Sequence, residues 1–231
     1  MKPLTLLGIC ASLLLLSACE KETVETISPP KPVVDSVSYT INGQTFSSRE
    51  VEKGSTFTTQ SNMKITSGPN FAYLLQGDQD SILFVRDFSF KTGKSFVIMS
   101  FIKVYGNDVT EFANENNGGW LRYPKDKTAI FAPGTYKYAT DFWRNNSISG
   151  IAFRMIDERA DYKSYGQSDL GKPASVTQKD QVGSKFEIIK IEKRASDYLV
   201  EARFTVTVFD ENKYPQKLEN GYLRFSVLKI N

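Results

Sequence analysis

From Ser36 onward, apolar and polar side chains alternate with a period of two rather than 3.6, the spacing of strands with one buried face. Val37, Tyr39 and Ile41 alternate with polar residues, Asn42-Gly43 follows, and Gln44-Thr45-Phe46 resumes the pattern. An Asn-Gly pair between alternating runs predicts a two-residue hairpin, because a type I′ turn needs positive φ at both central positions. The clearest long strand comes late. Tyr198, Val200, Ala202, Phe204, Val206 and Val208 share one face, and Glu201, Arg203, Thr205 and Thr207 the other. Further strands are predicted over Met63–Thr66, Phe71–Gln76, Ile82–Phe90, Ser95–Val104, Thr135–Tyr138, Ser149–Met155, Lys185–Ile191 and Tyr222–Lys229, with glycine, proline, asparagine and aspartate between them. The capping-box spacing from Asp108 to Glu111, ahead of Phe112 and Ala113, predicts one short helix stopped at Gly118-Gly119. Ala160 to Val182 lacks periodicity and is expected to be a long loop, with at most a short helical turn. There is no repeat at solenoid or propeller spacing and no proline-rich break in the middle. The expected fold is all-β: an antiparallel β-sandwich or barrel-like domain over 36–231, with two small domains divided near Ala139 as the alternative.

The first 35 residues follow a different pattern. Met1-Lys2-Pro3 gives a short positive start, and Leu4 to Leu16 is an apolar run broken only by Gly8 and Ser12. A membrane-spanning helix needs about 20 apolar residues, so this run has the length of a secretory signal instead. It ends in Leu16-Ser17-Ala18-Cys19, which resembles the bacterial lipobox at all four positions. The resemblance implies a lipoprotein signal peptide over 1–18, lipidation at Cys19, and a membrane partner held through acyl chains. Each chain contributes about 0.8 kcal/mol per buried methylene, so two or three anchor the protein permanently. Residues 19–35 are polar, then proline-rich at Pro29-Pro30-Lys31-Pro32, and read as a flexible tether. Glu20 is not the aspartate associated with inner-membrane retention, and Glu20-Lys21-Glu22 resembles the export signal of Bacteroidota surface lipoproteins. The expected location is the outer membrane, with its cell-surface side ahead of the periplasmic face.

Composition narrows the chemistry. Among 231 residues there is no histidine, which excludes Ser-His-Asp and Cys-His triads, imidazole general bases and His-ligated zinc within this chain. Of the two cysteines, Cys10 leaves with the signal and Cys19 becomes the acylated first residue, so no intramolecular disulfide can form. Loss of Lys2 with the signal takes the 29 basic residues to 28 against 26 acidic, a net charge of +2. That balance gives no reason to expect nucleic-acid binding. No cofactor is implied.

Tyr39-Thr40-Ile41-Asn42-Gly43-Gln44-Thr45-Phe46, Ala132-Pro133-Gly134-Thr135-Tyr136, Val200-Glu201-Ala202-Arg203-Phe204 and Asn220-Gly221-Tyr222-Leu223-Arg224-Phe225 follow in an order and spacing that resembles small Bacteroidota lipoproteins of uncharacterised function. Ala202 stands where such proteins commonly place glycine. The resemblance implies a surface or periplasmic β-domain and carries over no catalytic residue.

Aromatics concentrate between Gly118 and Asn146: Trp120, Tyr123, Phe131, Tyr136, Tyr138, Phe142 and Trp143. Flat rings stack on the apolar faces of pyranose sugars while Arg122, Arg144 and Asn145 can bond hydroxyls, so Trp120, Tyr123, Trp143 and Arg144 are the candidate ligand-binding residues. The alternative is that the rings fill a β core. Trp143-Arg144-Asn145-Asn146 has the character of a loop tip, which favours Trp143. Carboxylates offer the only acid–base machinery, with Asp78, Asp80, Asp157, Glu158 and Asp161 as candidates, and a glycosidase would need two carboxyl groups across a cleft. Asp108, Glu111, Asn114 and Glu115 offer hard oxygen ligands, but the glycine-centred calcium-loop spacing is absent, and no metal site is expected. Asp35-Ser36-Val37 and Asp80-Ser81-Ile82 resemble the three-residue O-glycosylation site of Bacteroides, which requires an exposed serine. The expected function is non-enzymatic: an outer-membrane lipoprotein whose β-domain binds a glycan, a peptide or a partner protein. Two other classes stay open, a carbohydrate-active hydrolase using a carboxylate pair and a fimbria-associated or structural envelope subunit.

Overall fold

A computed structural model describes residues 35–48, 52–61, 64–67, 73–76, 79–92, 95–112, 122–158, 160–166 and 174–228. The signal, Cys19, most of the tether, Asp78, Asn114, Glu115 and Trp120 lie outside them. In chain order the strands are β1 (Ser36–Ile41), β2 (Gln44–Ser48), β3 (Glu52–Ser61), β4 (Lys64–Ser67), β5 (Tyr73–Gln76), β6 (Ser81–Thr92), β7 (Ser95–Gly106), β8 (Thr110–Phe112), β9 (Arg122–Pro124), β10 (Gly134–Tyr136), β11 (Gly150–Ile156), β12 (Asp161–Lys163), β13 (Lys185–Lys193), β14 (Asp197–Phe209) and β15 (Pro215–Leu228).

The predicted hairpin forms at the predicted place. Asn42 and Gly43 take φ of 50° and 73°, and β1 and β2 pair from Ile41↔Gln44 outward. Strand β14 is the spine of the sheet. Strand β15 pairs along its whole length on one side, while on the other β13 takes Tyr198 to Thr205 and β12 takes Phe209. That split lets the sheet curl. Its path runs β2-β1-β15-β14-β12-β11-β7-β6-β3, with β13 and β10 branching from β14, and it forms an antiparallel half-barrel. Strands from both sides of Ala139 belong to this one sheet. Hairpins β4–β5 and β8–β9 stand outside it as two small sheets.

The inner face is packed with rings. Phe84, Phe88, Phe90, Phe101, Phe131, Phe153, Phe186 and Phe225 are all essentially without solvent contact. They meet edge-on or tilted, Phe88 with Phe225 at 4.5 Å and Phe101 with Phe131 at 5.1 Å between centroids. Such geometry contributes about 0.5–1.5 kcal/mol per pair beyond the area buried. Strands β6, β7 and β11 are covered on their other face too. There Leu83, Val85, Ile102 and Ala152 lie beneath Ala139, Phe142 and Tyr165. Burial on both faces explains why β6 reads as a near-continuous apolar run rather than an alternating one.

On β15 one extra residue sits between Leu218↔Val206 and Gly221↔Phe204, and the same bulge shifts the pairing with β1. Asn220 takes φ 52° there. Gly221 is required by its neighbour: a Cβ at that position would lie 2.4 Å from the Phe204 ring and 2.5 Å from the Phe204 carbonyl oxygen.

Two expectations are corrected. In place of a helix from Asp108, a single 3-10 turn over Asn107–Val109 leads straight into β8. The Thr110 hydroxyl donates to the Asn107 carbonyl, and Arg122 Nη1 donates to both groups, so pairing with β9 captures the segment before a helix can propagate. Within the expected loop at Ala160 to Val182 lies a strand, β12, while the short helical turn allowed there is a 3-10 turn over Gln178–Gln181, closed by a capping box between Thr177 and Asp180. Ser81 is buried, so it lacks the exposure that an O-glycosylation site needs, and Ser36 is half-buried within β1.

Candidate functional site

After β10 the chain passes Tyr138, which bridges Ile151 in parallel, and enters a strap, 139–148, on the outer face of β6, β7 and β11. The crossing is close. The Ile151 N–H donates to the Lys137 carbonyl and the Ala139 N–H to the Ile151 carbonyl, and a Cβ on Gly150 would lie 2.1 Å from Lys137 O. Asp141 then ties the strap into a turn, its Oδ2 accepting both the N–H and the hydroxyl of Ser147 at 2.7 Å. Phe142 is buried against Tyr165, ring centroids 5.3 Å apart. Trp143 follows at φ 59° with 41% of its surface exposed. A bulky side chain in the left-handed region costs about 1–2 kcal/mol. The bond from the Trp143 N–H to Asn146 Oδ1, 2.8 Å, holds it there.

Beneath Trp143 lies a cavity of about 320 Å³. Phe142, Trp143 and Tyr165 form its aromatic wall, while Thr56 of β3, Asp87 of β6, Ser100 of β7 and Arg154 of β11 supply polar groups. Burial raises the Asp87 carboxyl above the ordinary carboxylate range, against hydroxyl bonds from Ser100 and Thr56 that lower it. Arg154 donates from Nε and Nη2 to the two oxygens of Asp161, both at 2.8 Å. Burial favours the protonated Asp161, but the bonds from Arg154 and Lys163 outweigh it and its pKa is lowered. Tyr165 is pushed up to about 12, chiefly by burial, with the charges of Asp161 and Asp87 adding to it against Arg154.

Tyr165 and Asp161 also border a second recess of about 280 Å³ with Lys163 and Lys213. A wider concavity of about 460 Å³ lies outside β13–β15, over Gly221. There Lys185 pairs with Glu187 at 2.7 Å and the Tyr222 hydroxyl donates to Glu201 at 2.8 Å, and the concavity lacks an aromatic wall comparable to Phe142–Trp143–Tyr165.

Of the residues chosen from sequence, Trp143 lines the 320 Å³ cavity and Arg144 does not; Arg144 Nη1 bonds Asn145 Oδ1 at 3.1 Å. Tyr123 packs against the inner core with Lys127 5.7 Å from its ring, so the fold does not bring it to Trp143. Phe131, Tyr138 and Phe142 are core. Among the carboxylates, Asp161 is committed to Arg154 and Lys163, Asp157 Oδ1 accepts the Ala160 N–H, and Asp80 is exposed. Asp157 and Glu158 share a recess of about 230 Å³ beside Phe46 and Tyr162. Sequence reasoning missed Asp87, Arg154 and Tyr165. A signal existed for the first two: each is a charge set inside an otherwise apolar strand. No family model, curated protein or solved structure matches this chain.

Proposed function

We propose that this chain is a lipid-anchored outer-membrane lipoprotein whose β-domain binds a glycan, without catalysing its turnover, in the cavity beneath Trp143. The observation that carries the reading is the pairing of a part-exposed tryptophan in a strained backbone with Asp87, Ser100 and Arg154 at the same 320 Å³ cavity. An aromatic wall opposite hydroxyl, carboxylate and guanidinium groups suits a ring with one apolar face and a polar rim. The volume lies at the small end of ligand pockets and suits a terminal sugar unit of a longer chain. Among the described residues Asp87 is the one carboxylate lining it, whereas hydrolysis of a glycoside calls for two flanking the bond, which supports binding over catalysis.

The test is a glycan array probed with the full-length protein in detergent, followed by tryptophan fluorescence titration of any hit. Trp143→Ala should weaken binding by tenfold or more while leaving the melting temperature within a few degrees, since the side chain is 41% exposed. Undiminished binding by that variant removes the site. Radiolabelled palmitate incorporated by the native chain and not by Cys19→Ala tests the anchor, and protease digestion of intact cells tests the outward orientation.

A further inference from the structure

Strand β6 carries two adjacent charges that its pleat sends to opposite faces: Asp87 to the cavity just described, and Arg86 inward among the phenylalanines. Arg86 is 4% exposed. Its guanidinium carbon lies 5.6 Å from the centroid of Phe88 and 5.9 Å from that of Phe131, and its cross-strand partner on β7 is Phe101. Among the described residues no carboxylate pairs with it, and its buried Nε–H has no acceptor. Burial lowers its pKa, yet a guanidinium stays protonated throughout the working range of proteins. A permanent charge is thus held beside ring faces in an aromatic interior, with its Nε–H unmet. Facing rings offset part of such a desolvation penalty and none of the unmet hydrogen bonding.

We propose that Arg86 anchors a small carboxylate ligand inside the half-barrel. A carboxylate matches the planar donor fork of arginine in two parallel bonds. One negative charge neutralises the one positive charge present, whereas a dianion would leave a net charge buried among phenylalanines. A short apolar body on the acid suits the walls. The 3-10 turn Ala129–Phe131 sets Phe131 against Arg86 and is held at its start by Asp126 Oδ1, which accepts from the N–H of Thr128 and of Ala129. The Tyr105 hydroxyl, a second buried polar group without a partner among the described residues, lies on the same face of the sheet. This site is independent of the glycan cavity, which faces the opposite way.

The experiment follows the arginine Nε–H resonances of the full-length protein in detergent, with the Arg86 signal assigned by its loss in Arg86→Lys. Acetate and propionate, added at constant ionic strength, should move that signal saturably and raise Tm by about 5 °C near saturation. Arg86→Met, which replaces the charge with an apolar chain of similar length, should fold and show no such rise. An unmoved Nε–H signal, an equal rise in Arg86→Met, or a response to inorganic phosphate and none to acetate each overturns the proposal. If Arg86→Met does not fold, the resonance in the native protein still decides.

Discussion

At Asp87 and Asp161, two carboxylates close to the same cavity respond to acid in opposite senses. Asp87 is raised by burial, so its protonated form favours the fold. Its contribution is stabilising below the ordinary value of 3.8, is lost as pH rises through its folded value, and leaves an ionised, costly group at neutral pH. Asp161 is lowered, so it stabilises above 3.8 and that support fades as pH falls through its folded value. Asp87→Asn should therefore raise Tm at pH 7 and lose its advantage below about pH 3.8. Melting curves of variant and parent across pH 3 to 7 check this, and the same variant should bind the glycan less well if Asp87 touches it. Gly221 offers a steric test. Gly221→Ala must displace the Phe204 ring or its carbonyl, and should cost about 1–3 kcal/mol in urea unfolding.

Among the elements, the β1–β2 hairpin provides the contrast to that clash. Nothing lies within 4 Å of a Cβ at Gly43, so Gly43→Ala meets only the backbone cost of φ 73°, about 1–2 kcal/mol by urea unfolding. This hairpin and β14 were legible because their signals are local: a turn dipeptide, and an alternation sustained over eleven residues. Strand β3 was not. Its Ser55, Thr56, Thr58 and Thr59 offer no apolar alternation, and it forms because β6 presents a free edge to pair with. The helix expected at Asp108 failed for a related reason: cap spacing describes a local preference, and the pairing of β8 with β9 overrode it. The site was half legible. Trp143 stood out as a loop-tip aromatic, but the cluster from Gly118 to Asn146 divides between two faces, Phe131 inside and Phe142 outside. Nearness in sequence cannot assign a face once the chain has passed from one side of a sheet to the other.

At the scale of the whole molecule, the curl of the sheet gives the protein two unlike sides, a ring-filled interior around Arg86 and an outer shelf under Trp143. Strand β1 lies between β2 and β15, and Asp35 Oδ1 accepts the Ser226 N–H at 2.7 Å, just ahead of the first pair, Ser36↔Arg224. Because β1 and β15 are antiparallel, residue 35 lies beside the end of β15, and the turn between β14 and β15 lies at the opposite end of that ladder. The ladder is therefore mechanically directional. A load between the start of β1 and a handle at Asn212→Cys pulls the two strands along their length, so their hydrogen bonds share the force and fail together. A load between residue 35 and a handle beyond residue 228 opens the same bonds one at a time. Single-molecule pulling should find the first geometry markedly stronger, so a load entering through the first strand is borne best when it runs along β1.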